Sequence, residues 1–230
     1  MPAPPGAGLR RGAACGRLRA MHKMPAMLTV PPKVSFKAQM YQAREAAILA
    51  SACRLLGEKA FDLMTMDDVA NAVGIAKASL YKHFGSKEAL CTAAMVQMLG
   101  RVQTYLASLP AQTPALEKLH ALLRWSLEQL LGNQMPLLPG RHSGLRAVLM
   151  ANQDYRAGLR ALSEQIGAWI TEAQAQGLID PGLPLVVVQY TLYARACDPA
   201  LCLLKEGGQY SDAEIVELVL RTCFDGLVAR

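Results

Sequence analysis

Between Ala76 and Phe84 the chain reads A-K-A-S-L-Y-K-H-F. At helical spacing Leu80 and Phe84 fall on one face. Lys77, Ala78, Ser79, Tyr81, Lys82 and His83 take the other sides. Ammonium groups, a hydroxyl and a phenol on the outside of a short helix suit a particular chemistry. They donate hydrogen bonds to base edges and phosphates in a DNA major groove.

Such a helix works only if something fixes its angle, and the flanking residues provide that. Thr65 is a good N-cap, and Asp68 three residues on completes a capping box. Val69 and Val73 then share a face, with Ala70 and Ala72 small enough for close packing. Gly74 supplies the permissive backbone of a tight turn between helices, and Ile75 is an apolar plug after it. Gly85 ends the reader helix, and Ser86 caps the next one, with Lys87 and Glu88 in its first turn. Upstream, a helix from about Phe36 to Lys59 carries Tyr41, Ile48, Leu49, Ala52, Leu55 and Leu56 at helical spacing and braces the pair. Phe61 and Leu63 plug the link. The whole is a helix-turn-helix.

Helical patterning continues to the C-terminus. A long amphipathic helix from Ser86 runs up to Pro110, a candidate transmission rod. Others follow at Ala115–Leu131, Leu145 to about Asn152, and Tyr155–Gln176 with Gly177 as C-cap. A very apolar helix begins near Pro184 and is kinked or interrupted at Pro199. The last helix opens on a capping box, Ser211 with Glu214. No strand-like alternation and no internal repeat appears, so the fold expected is all-α: an N-terminal three-helix helix-turn-helix domain joined to a larger helical domain. Residues 1–33 are expected to be a disordered basic arm, 34–90 the DNA-binding domain, and 91–230 the larger domain.

In T-M-D-D-V-A-N-A-V-G-I-A-K-A-S-L-Y-K-H-F-G-S-K-E-A-L, Thr65 to Leu90, the chain resembles the TetR/AcrR family of transcriptional regulators. The detailed resemblance covers roughly a quarter of the chain, with the remainder similar in length and helical character. It implies a homodimer, formed through the last two helices, that sets two reader helices in successive major grooves of a near-palindromic double-stranded DNA operator. It implies base reading by Lys77 and Ala78, a base-edge, thymine-methyl or phosphate contact from Tyr81, and phosphate contacts from Ser79, His83, Lys87 and Thr65. For His83 a structural role at a helix end competes with the phosphate contact, Lys82 is either a contact or a solvated residue, and Thr65 caps its helix in either event. It also implies a pocket for a small-molecule effector in the larger domain. Candidate lining residues are His120, Trp125, Met135, Met150, Tyr155, Trp169, Tyr190 and Tyr193, with Arg146 or Arg195 to meet an acidic ligand; most of this set is expected to be core. Ala60 stands where the family usually has Gly, which predicts a strained, left-handed helix end there.

Composition bounds these readings. The chain has 230 residues, 52% of them hydrophobic and 18% charged, and a net charge of +6. Arg10, Arg11, Arg17, Arg19, Lys23 and Lys33 fall in residues 1–33 with no acid, so the excess charge sits there and the remainder balances. That segment reads as a phosphate-binding arm, a solvated tail, or sequence upstream of a true start at Met21, Met24 or Met27. No apolar run is long enough to span a membrane. Six cysteines, at 15, 53, 91, 197, 202 and 223, show no C-x-x-C spacing, which argues for reduced, cytosolic thiols. The competing regulator is a thiol-based redox sensor switched by Cys53, Cys91 or Cys223. An enzyme is a further class, but there is no nucleophile elbow, glycine-rich phosphate loop or His/Asp/Glu cluster at metal-ligand spacing. No metal and no cofactor is called for.

Overall fold

A computed structural model describes residues 35–136, 143–198 and 200–226. Within them lie ten helices and no strand. The first is α1 (Phe36–Leu63), followed by α2 (Met66–Val73), α3 (Lys77–Tyr81) and α4 (Lys87–Ser108). The larger part comprises α5 (Ala115–Leu131), α6 (Gly144–Ala151), α7 (Gln153–Ala175), α8 (Leu185–Ala196), α9 (Ala200–Glu206) and α10 (Asp212–Phe224). None of these helices is long and apolar enough to cross a membrane. The arm expected over 1–33 lies outside the described residues.

Two apolar clusters hold the helices together. The first joins Ile48, Ala52, Leu55 and Leu56 of α1 to Val69 of α2, Leu80 of α3 and Leu90 and Ala94 of α4. Burying side chains of this size contributes about 1.5–3 kcal/mol each. The same cluster reaches past residue 90 to Cys91 and Met95, and takes in Leu145, Leu149 and Tyr155 from far along the chain. The second cluster is built from the distal half of α4 with α5, α7, α8, α9 and α10. Two helices, α4 and α7, therefore belong to both. Gly158 lets them approach closely, since a Cβ there would lie 3.1 Å from Leu99 Cδ1.

The structure corrects two local expectations and agrees with a third. Helix α1 runs unbroken through Ala60 to Leu63, so the backbone there is helical and not left-handed. Buried Phe61 and Met64 close the link, while Leu63 points to solvent at 74% exposure. The apolar helix after Pro184 is interrupted as expected: α8 ends at Ala196 and a separate short helix, α9, begins at Ala200.

Candidate DNA-reading surface and effector cavity

The helix that precedes the reader, α2, is fixed at both ends. Thr65, in extended backbone (φ −117°, ψ 161°), accepts from the Asp68 amide at 3.1 Å, and Asp68 Oδ2 accepts from the Thr65 amide at 2.9 Å. Lys59 Nζ donates to Asp68 Oδ1 at 2.9 Å. That bond, with those from Thr65, holds the Asp68 carboxyl down at about 2. At the other end of α2, Gly74 adopts φ 74°, ψ 34°. Its amide donates to Asn71 O, and the Ile75 amide to Ala70 O, which is a Schellman closure that needs a left-handed residue. No side chain caps α3. It is held instead from below by Leu80, wholly buried, and Phe84.

Four of the candidate readers lie on the solvent side: Lys77, Ala78, Tyr81 and Lys82. Ser79 is half-buried. Lys77 Nζ is paired with Asp67 Oδ2 of α2 at 2.7 Å, a bond that raises its pKa. Thr65 is exposed at the same end of the bundle, engaged in its capping box.

Two candidates have structural employment instead. The Lys87 ammonium donates to the carbonyls of Phe61 and Met64, each at 3.1 Å, and lies 4.3 Å above the Phe61 ring. Carbonyls at the end of a helix have no intrahelical partner, and Lys87 supplies one. It therefore buttresses the end of α1. The His83 side chain is only 4% exposed. It stacks on Tyr41 at 4.2 Å between centroids, with Nδ1 3.7 Å from Glu45 Oε2 and without a hydrogen bond. This is the structural role, clamping α1 to the end of the reader unit.

In the second cluster an apolar cavity of about 110 Å³ opens between α4, α5, α7 and α8. Met95, Met98, Leu99 and Val102 of α4 form one wall, and Leu119, Leu122, Leu123 and Ser126 of α5 another. Opposite lie Tyr155, Leu159, Leu162 and Ile166 of α7, and Leu192, Tyr193, Ala196 and Cys197 at α8. Met135 and Pro136 close one side from a loop tied to α4, because Arg101 donates to Gln134 O at 2.8 Å and to Gln129 Oε1. Among the described residues no charged side chain is in the wall.

Of the candidate effector contacts, Tyr155, Tyr193 and Met135 line this cavity. The others do not. His120 stacks on Phe224 of α10 at 3.6 Å, where burial pushes its pKa down. Trp125 stacks on Tyr105 at 5.0 Å. Trp169 is buried in the core with Lys118 above its ring at 5.8 Å. Met150 and Tyr190 are exposed, at 47% and 66%. Arg195 pairs locally with Asp198 at 3.0 Å, and Arg146 is exposed outside the wall. Sequence reasoning missed Met95, Met98, Ser126 and Cys197. For Ser126 and Cys197 the sequence signal was a small polar or thiol residue interrupting an apolar stripe, whereas Met95 and Met98 carried none.

The thiols proposed as switches are poor nucleophiles. Cys53 and Cys91 are buried, which pushes their pKa to about 11 and about 12, and burial also raises Cys223. The thiolate is the reactive form, so the redox reading loses its chemical basis at these three positions.

Comparison with known proteins agrees with this geometry. The profile of bacterial regulatory proteins of the tetR family matches residues 48–94, which hold the core of α1 and all of α2 and α3. The regulator BetI of Rhizobium meliloti is 31% identical over 91 residues, 39% of this chain and 45% of BetI. Residues 48–94 are a DNA-reading unit of the tetR-family type. EthR of Mycolicibacterium smegmatis, another HTH-type transcriptional regulator, is 38% identical over 72 residues, 31% of this chain. The chain thus matches under half the length of these relatives, 45% and 33%. FadR of Bacillus subtilis, solved in complex with stearoyl-CoA, shares the fold with a TM-score of 0.57 and 17% identity, over 80% of this chain and 99% of that one.

Proposed function

We propose that this chain is a DNA-binding transcriptional repressor that an apolar small molecule releases from a near-palindromic operator. The supporting observation is α3 itself: Lys77, Ala78, Tyr81 and Lys82 exposed on a helix whose angle is set by Gly74, Leu80 and Phe84. Residues 34–90 carry the DNA-reading function in this reading, and 91–230 the effector and dimer functions. Base reading belongs to Lys77 and Ala78, with Tyr81 beside them, Ser79 and Lys82 near the backbone, and the exposed Thr65 end of α2 against a phosphate.

The dimer contact is assigned to α8 and α10. Val186, Val187 and Tyr190 of α8 are 50–66% exposed and Leu218 of α10 is 38% exposed, apolar surface suited to a second copy. The effector belongs in the α4–α5–α7–α8 cavity; FadR of the same fold, solved in complex with stearoyl-CoA, supports a small-molecule effector. Helix α4 starts beside the reader unit at Lys87 and lines the cavity with Met95, Met98, Leu99 and Val102. A ligand that favours one position of α4 while DNA favours another makes the two weaken each other's binding. Electrophoretic shift of the DNA flanking the gene, with light scattering on the free protein, tests this. A salt-sensitive shift by a dimer is expected; a monomer that leaves DNA unshifted at low salt contradicts it.

A further inference from the structure

The cavity wall constrains what the effector is, given the repressor reading on which this inference rests. Among the described residues no Lys, Arg, His, Asp or Glu lines it, so an ionised group placed there would be stripped of water with no counter-charge from them. The wall's hydroxyls differ in employment. Ser126 Oγ donates to Leu122 O at 2.9 Å. Tyr193 Oη is bonded to Ser163 Oγ and to Gln189 Nε2, both at 3.0 Å. Tyr155, on the first turn of α7, lines the cavity, and its hydroxyl makes no hydrogen bond among the described residues; the fully buried polar atoms without a partner there are His83 Nδ1 and Thr92 Oγ1, so the Tyr155 hydroxyl is open to the cavity side rather than sealed in the core.

We propose that the effector is an uncharged, largely apolar carbonyl compound whose oxygen accepts a hydrogen bond from the Tyr155 hydroxyl. Burial raises the Tyr155 pKa, which keeps the phenol a donor at neutral pH. The position also has a route to the DNA-reading end. Tyr155 lines the cavity while packing in the apolar cluster that includes α1, α2 and α3. A ligand oxygen seated on it bears directly on that cluster.

Three near-isosteric probes separate the components: ethylbenzene (apolar, no acceptor), acetophenone (neutral carbonyl) and benzoate (anion). In calorimetric titrations of the full chain, acetophenone is expected to bind roughly 2- to 10-fold more tightly than ethylbenzene, the value of one net hydrogen bond. Benzoate is expected to bind more weakly than either. Tyr155→Phe should bring acetophenone to parity with ethylbenzene, leave ethylbenzene affinity unchanged, and melt no lower than the parent. The unchanged ethylbenzene affinity shows that the cavity is intact in the variant. Acetophenone preference surviving Tyr155→Phe, or benzoate binding as tightly as acetophenone, overturns the assignment while leaving the cavity as effector site. Failure of both neutral probes to bind removes the cavity itself, and the effector half of the repressor reading with it.

Discussion

Replacing Lys87 by Met keeps the length and apolar character of its stem over Phe61 and removes only the ammonium. Two charge-assisted hydrogen bonds are lost, to Phe61 O and Met64 O at 3.1 Å each. Bonds to charged groups are worth about 1.5–3 kcal/mol apiece when fully protected. This site is only partly buried, and both carbonyls regain some water once the ammonium is gone, so the pair should cost about 2 kcal/mol. For a chain of this size that lowers the melting temperature by roughly 4–8 °C. Urea denaturation should show a lower midpoint at unchanged slope, because the same surface is exposed on unfolding. Measured below the transition, DNA affinity should keep the parent's salt dependence. If instead Lys87→Met leaves the midpoint alone and reduces the log–log salt slope by about 0.9, one phosphate contact, then Lys87 grips DNA and the helix-end assignment is wrong.

Lys77→Ala should weaken operator binding roughly tenfold or more and unrelated DNA much less, because a lysine at the groove end of α3 donates to guanine O6 and N7. Asp67→Asn, which frees Lys77 and removes a negative charge from the DNA face, should tighten binding in the same anisotropy titrations. Gly74→Ala should destabilise by about 1–2 kcal/mol in urea, from backbone strain alone, since φ is 74° and a Cβ there meets nothing within 4 Å. Asp68 has a folded pKa of about 2, below its unfolded value, so its stabilisation is complete above about pH 4 and is lost as the pH falls toward 2. The melting-temperature gap between the parent and Asp68→Asn should close over that interval; a constant gap would assign the effect to packing.

The reader unit was legible in the sequence because its determinants are local. Thr65 and Asp68, Gly74 and Ile75, and Ser86 at the start of α4 each act within five residues, and cap and turn chemistry operates at that range. The Ser211–Glu214 box was legible for the same reason, and both bonds of that box form. The intramolecular partners of Lys87 and His83 were not legible because they come from α1: Phe61 lies 26 residues before Lys87, and Tyr41 is in a different helix from His83. The cavity was half legible. Tyr155 and Tyr193 stood out as polar aromatics in apolar stripes, but so did His120, Trp125 and Trp169, and nothing local separates a ring facing a void from one stacked on Phe224 or Tyr105. Ala60 failed for another reason. A family preference for Gly was carried to a position where this chain continues its helix.

The central claim is that α3 reads DNA sequence as one of a symmetric pair. Selection of binding sites from a random duplex library tests it most directly, run with the parent and with the Lys77→Ala/Tyr81→Ala double variant. The parent should enrich an inverted repeat whose half-sites lie about one helical turn apart, 10–10.5 base pairs or a multiple, and the double variant should lose that motif while retaining weak, salt-sensitive binding. Enrichment of the same repeat by both proteins would place sequence reading elsewhere in the molecule, and absence of any motif with the folded, dimeric parent would contradict the claim outright.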